Sequence, residues 1–214
     1  MKTMNTNEEI PEYFYVFLNF NGIHNEINGH NYNLSKRILS TGIGNVSSKL
    51  YDAKAFYDGD IDYLPFVRTN KELFMISSFM KNKIHNYNIE YNLEYYRKLH
   101  YKNYPSRFSG VFAFGSYEAC EQISMKYPKW WNIEEVKKFR LVRNNPLNKI
   151  AKLNMEIVSL LNAVDISAFS IESQNSIYNT YWSGGGSVQV ERRSILQKDV
   201  IYEYLIEGCL EEVE

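Results

Sequence analysis

Cysteine is nearly missing from this chain: two residues among 214, Cys120 and Cys209, far apart and outside any CxxC pattern. That excludes a disulfide framework and a zinc knuckle, and it fits a reducing compartment. Histidine is scarce as well. His24, His30, His85 and His100 show neither HExxH nor zinc-finger spacing, so no metal site is expected. No apolar run approaches the roughly 18 residues that cross a bilayer, and Met1 to Ile10 is polar and acidic, without the apolar stretch of a secretory signal. The expected location is therefore the cytoplasm, with no membrane partner. An excess of one charge sign is missing too. A net charge of -1 supplies no global field toward DNA or an anionic surface. The P-loop, the dinucleotide GxGxxG after a strand and the hydrolase GxSxG are all absent.

What is present is ordinary globular material, 44% hydrophobic and 23% charged, which argues against a disordered chain. The length suits one good core and is short for two, so a single domain over residues 1–214 is expected. Tyrosine is abundant, at 18 residues. Aromatics interleaved with bases can bind nucleic acid, but totals do not decide that; the local pattern must.

The local pattern predicts a mixed α+β fold. Residues 12–20 are aromatic and β-branched and end at Asn21-Gly22, a strand closed by a turn. Residues 22–70 are rich in Asn, Gly and Ser and are expected to be loops with minor elements. From about 71 to 100, Leu73, Ile76, Met80, Ile84, Tyr87, Tyr91 and Tyr95 recur three or four apart, the spacing of one long helix capped by Asn70. Ser109 to Phe114 is a short buried strand, and Ser116 caps a helix from Tyr117 to Lys126. Lys137 to Arg143 alternates as a strand with one wet face. Asn145-Pro146 is expected to open a helix running through Ile150, Leu153, Ile157, Leu160 and Leu161. A further helix leads to Tyr181-Trp182 and stops at Gly184-Gly185-Gly186. Val200 to Ile206 alternates as a last strand that Gly208 breaks, with Leu210 to Val213 as a short addition.

Three features bear on chemistry. Glu203 falls between Ile201 and Leu205 on one strand face, so a covered face puts its carboxylate in an apolar setting that demands donors or a task. On an edge strand it would simply face solvent. Ser106, Arg107 and Ser109 sit at the mouth of the 109–114 strand. A guanidinium fork there suits a phosphate, and serines there equally suit tying off loop backbone. Tyr181-Trp182 ahead of three glycines offers a flat ligand an aromatic wall, or anchors the core before a helix stop. The stretch from Lys81 to Lys102, with Lys83, Arg97 and Lys98, could form a nucleic-acid face, but Glu90 and Glu94 interrupt it and its tyrosines have core spacing.

The order of these pieces (a long helix, YPSRFSGVFAFGSYEACEQ, VKKFRLV, YWSGG and IYEYLIEG) resembles a group of small bacterial proteins similar to ADP-ribosyltransferases. Their pattern is approximately YPSR-x-S, then YW-x-G, then E-x-L-x-x-G, and the resemblance covers residues 70–214. It implies a split antiparallel sheet with an NAD cleft between the halves, and no metal. Glu203 matches the catalytic carboxylate that holds the nicotinamide ribose. Ser106, Arg107 and Ser109 match the segment bordering the cleft, and Tyr181 and Trp182 match its aromatic pair. Tyr15 stands where members often carry a histidine that anchors the donor ribose. The implied activity is transfer of ADP-ribose from NAD to an unknown macromolecular acceptor. The alternatives are a non-catalytic nucleotide- or partner-binding protein on the same scaffold and, more distantly, a nucleic-acid-binding module.

Overall fold

The computed structural model describes residues 10–18, 32, 35–40, 78–128, 131–146, 148–191, 193–196 and 199–214. Among the described residues, eight strands and four α-helices follow in chain order. They are β1 (Tyr13–Phe17), β2 (Arg37–Ser40), α1 (Ser78–His100), β3 (Val111–Ala113), α2 (Tyr117–Lys126), β4 (Val136–Leu141), β5 (Lys149–Asn154), α3 (Met155–Ala163), α4 (Ile171–Ser183), β6 (Ser187–Val190), β7 (Arg193–Leu196) and β8 (Tyr202–Glu212). The fold is thus mixed α+β, and its strand pairings are antiparallel. Among the described residues, no helix is long and apolar enough to cross a membrane.

The last strand organises the sheet. Over Tyr202–Glu207, β8 pairs with β5, and over Tyr204–Ile206 it also pairs with β3. Beyond Glu207 its partners become β2 and β4, and β1 lies outside β4. A bridge between Tyr15 and Phe114 ties β1 back to the end of β3. The change of partners falls at Gly208, whose φ of 153° is a backbone few side chains adopt. A Cβ there would stand 2.4 Å from Asn148 Oδ1.

The sequence reading differs from the structure in the second half. The expected helix opening at Asn145-Pro146 is instead a turn followed by β5, and helix begins only at Met155. Ile150, Leu153 and Ile157 have helical spacing, but backbone pairing of β5 along β8 claims the first two. The Asn154 side chain accepts from Glu156 N–H and so starts α3 after that pairing ends. Gly208 does not break β8; the strand changes partners there and continues as one element to Glu212. Strand β2 and the β6–β7 hairpin were not anticipated. The long helix spans Ser78–His100, with 71–77 outside the described residues, as are most of 22–70 and both His24 and His30.

Elsewhere the local chemistry does what its residues dictate. Ser116 accepts from Ala119 N–H and caps α2. Gly184, at φ 66°, closes α4 with its N–H on the Tyr181 carbonyl. The main core lies between the helices and the first half of β8: Ile89 and Leu93 of α1, Ile157 and Leu161 of α3, and Ile177, Tyr181 and Trp182 of α4 meet Leu153 and Leu205. A second cluster, including Phe14, Ile38, Phe139 and Leu210, fills the other half of the sheet. Full burial of such side chains stabilises by roughly 1.5–3 kcal/mol each.

Candidate functional site

Glu203 lies in β8, opposite Leu153 of β5, and it is buried, so the solvent-facing alternative does not apply. Its residue is 3% exposed, and Ile201 and Leu205 on the same face are buried with it. Alternation carries the same face on to Glu207, also buried. Two carboxylates are therefore held four residues apart on the inward side of the longest strand.

Around Glu203 the structure closes a four-residue network. The Tyr181 hydroxyl donates to Glu203 Oε1 at 2.7 Å. Arg107 Nη1 donates to the same oxygen at 3.3 Å and also to the Tyr181 hydroxyl. The other edge of that guanidinium grips Glu90 of α1 as a fork, Nε and Nη2 each 2.7 Å from a carboxylate oxygen. The Arg107 cation also stands over the rings of Phe112 and Tyr181, 4.9 and 5.1 Å from their centroids.

Burial sets the electrostatics. It pushes the Glu203 carboxyl pKa upward, more than the Arg107 charge and the Tyr181 hydrogen bond push it down. Burial likewise raises the Tyr181 phenol well above its ordinary value, against the pull of Arg107. For Arg107 burial acts downward, but Glu90, Tyr181 and Glu203 outweigh it and hold the guanidinium firmly charged. Such a cluster of perturbed, coupled groups is what functional sites contain, and structural ion pairs resemble it.

Beside this network lies a second one. Glu94 of α1 takes the Arg97 fork, at 2.8 and 3.0 Å, and accepts from the Ser106 hydroxyl at 2.9 Å. Glu207 Oε1 accepts from Ser106 N–H at 3.0 Å and from the Ser109 hydroxyl at 2.9 Å, while Oε2 meets Lys149 Nζ at 2.9 Å. Burial would raise the Glu207 carboxyl, but these donors outweigh it and hold its pKa below the ordinary value. Four carboxylates thus share two buried arginines and the half-exposed Lys149 along one seam.

The expected site residues divide accordingly. Glu203, Arg107 and Tyr181 come together. Ser106 and Ser109 sit in the adjoining seam, with their hydroxyls on Glu94 and Glu207. Trp182 is buried with its indole N–H on the Leu93 carbonyl at 2.9 Å, among Tyr101 and Tyr104. Tyr15 packs edge-on against Tyr117 and joins Phe114 through backbone bonds. Glu90, Glu94 and Glu207 were missed as site residues. Their signal was available: two glutamates one turn apart on a helix, and a glutamate four residues after Glu203 on the same strand face.

Other candidates recede. Arg97, which the nucleic-acid reading needs, is buried on Glu94 and on the Tyr104 carbonyl. His85 meets the Leu161 carbonyl and His100 packs on Tyr96. Burial pushes the Cys120 thiol up to about 12, which disfavours a thiolate nucleophile. Among the described residues no group of three His, Cys, Asp or Glu could hold a metal ion. An open groove of about 790 Å³ runs along Ile10, Glu12, Arg140, Arg143 and Glu211. It holds none of the seam's residues, and its chemistry is that of exposed, mixed charges.

Fold and site together define an α+β protein with an antiparallel sheet and a buried Arg–Tyr–Glu constellation that meets at Glu203 of its last strand. The chain belongs to the family described as "Protein of unknown function (DUF2441)", whose model matches residues 4–211. No curated protein matches it.

Proposed function

We propose that this protein is an ADP-ribosyltransferase-like enzyme that cleaves the nicotinamide–ribose bond of NAD and passes ADP-ribose to an acceptor. One observation carries the reading: the Glu203 carboxylate is held inside the fold by a phenol and a guanidinium. Cleavage of that glycosidic bond passes through an oxocarbenium-like state, as in glycoside hydrolysis. A carboxylate aimed at the ribose is worth most where positive charge develops away from water. Arg107 supplies a fork matched to a diphosphate oxygen pair, and Tyr181 fixes the orientation of Glu203. For a ribose to reach Glu203, the bonds from Arg107 and Tyr181 to its carboxylate must open, and for a diphosphate to take the guanidinium fork, Arg107 must leave Glu90. NAD enters here as substrate, and no step calls for a metal.

The test is nicotinamide release from NAD by the purified protein, alone and with host lysate, beside Glu203→Gln. Release that disappears in the variant supports the reading; full release by the variant removes Glu203 from the chemistry.

A second reading is binding without turnover on the same scaffold. The closed state of Glu203 favours it, as does Tyr15, which offers a phenol packed on Tyr117 where the resemblance implies an imidazole. Calorimetry that finds nucleotide binding with no nicotinamide release over long incubation would select it.

A further inference from the structure

The segment from Ser106 to Ser109 is gripped from two sides by carboxylates with matching spacing. On one side Glu90 and Glu94 lie one turn apart on α1; on the other Glu203 and Glu207 lie four residues apart on β8. Arg107 is shared by Glu90 and Glu203, and Ser106 by Glu94 and Glu207. Ser109 then returns to Glu207 through its hydroxyl, and its carbonyl accepts from Ser40 at 2.5 Å.

Glu207 alone among the four carboxylates binds the segment's backbone. Its Oε1 takes the Ser106 N–H, one residue before Arg107, and the Ser109 hydroxyl, two residues after it. Inside that span the Ser106 carbonyl accepts from Ser109 and Gly110 N–H, forming a tight turn. The chain on both sides of Arg107 is therefore tied to one carboxylate oxygen. Without it a partly buried N–H and a buried hydroxyl lose their acceptor, and a turn that presents Arg107 loses its anchor on β8.

We infer that Glu207 is a positioning residue: it holds the Ser106–Ser109 turn so that the Arg107 guanidinium reaches Glu203 and Tyr181. Its part in turnover rests on the NAD-cleaving reading; its part in placing Arg107 does not. Lys149, half-exposed on the far oxygen, neutralises Glu207 and takes no part in the placement.

The experiment follows the Arg107 Nε–H proton in the full ¹⁵N-labelled chain, assigned by its loss in Arg107→Lys. That proton is buried on Glu90 and is expected to exchange slowly with water. Glu207→Leu should speed its exchange about ten-fold or more, the scale of one buried donor left unpaired. Glu207→Gln, which keeps an oxygen for Ser106 and Ser109, should restore it to near wild type, and so should Lys149→Met. Exchange in folded Glu207→Leu within about two-fold of wild type, smaller than one lost hydrogen bond, overturns the proposal. If Glu207→Leu does not fold, Ser109→Ala carries the test, with exchange roughly three-fold faster expected and unchanged exchange counting against it. With NAD, Glu207→Leu should lower kcat more than it raises KM, and Glu207→Gln should recover it. Faster exchange beside an unchanged kcat overturns the role in turnover. No nicotinamide release by wild type sinks the NAD reading and leaves proton exchange to decide the placement.

Discussion

Tyr181 and Glu203 share one short hydrogen bond, 2.7 Å from phenol oxygen to carboxylate oxygen, with Arg107 donating to both partners. The hydroxyl is thus donor and acceptor at once, in a place closed to bulk solvent: Tyr181 has 0% exposure. Tyr181→Phe removes that oxygen and keeps the ring. The expected loss is about 1–3 kcal/mol of stability, the cost of leaving buried polar partners unpaired. Denaturant midpoints at unchanged slope measure it. A variant as stable as wild type would mean that Arg107 and Glu203 close directly on each other.

Arg107 neutralises two carboxylates that have little other recourse. Arg107→Met keeps much of the stem's bulk and leaves Glu90 and Glu203 without their shared cation. Removing one partner of a buried pair typically costs about 3–5 kcal/mol, so this variant is expected to be among the most damaging in the chain. Arg107→Lys should rescue charge without the fork, recovering stability in part but leaving any NAD turnover low. Equal turnover in Arg107→Lys and wild type would show that a point charge suffices.

How much of this was legible beforehand follows from where each interaction lies along the chain. Alternation placed Glu203 between Ile201 and Leu205 on one face, and that face is buried. Local capping chemistry marked Ser116 and Gly184, whose partners lie within a few residues. The β5 segment was misread because its apolar spacing fits a helix, and only pairing with β8, some fifty residues on, decides otherwise. The two-sided grip on Ser106 and Arg107 joins residues of α1, the turn and β8, separated by as many as 101 positions. No local pattern encodes such a meeting. Glycine is a turn and breaker signal, so the pattern predicts a stop at Gly208; here its missing Cβ lets one strand serve two halves of a sheet.

That last point gives a backbone prediction. Gly208→Ala adds a methyl 2.4 Å from Asn148 Oδ1 at a φ of 153°. Asn148 is held by its amide on the Val142 carbonyl, so it cannot yield freely. The expected cost is about 1–3 kcal/mol for the strained backbone, read from thermal or denaturant unfolding. Gly208→Ala in an Asn148→Gly background should recover the part due to the clash and leave the part due to φ. Full recovery would assign the whole cost to the side-chain contact.

Glu203 and Glu207, on one face of one strand, should respond to pH with opposite sign. Burial raises the folded pKa of Glu203 above the ordinary 4.5. The folded protein therefore holds that proton more tightly than the unfolded chain does. Stability relative to Glu203→Gln should be greatest below pH 4.5 and fall as pH climbs through the raised value. For Glu207 the donors on Ser106, Ser109 and Lys149 overcome burial and lower the folded pKa below 4.5. Its contribution relative to Glu207→Gln should be complete above pH 4.5 and disappear as pH falls through the depressed value. Unfolding free energies of wild type and the two variants between about pH 3 and pH 8 test both. Salt should shrink the Glu207 effect more, because Lys149 is 43% exposed while Arg107 is buried. Parallel pH curves for the two variants would mean that Glu203 and Glu207 titrate as one coupled pair, with the proton shared between them rather than held by Glu203.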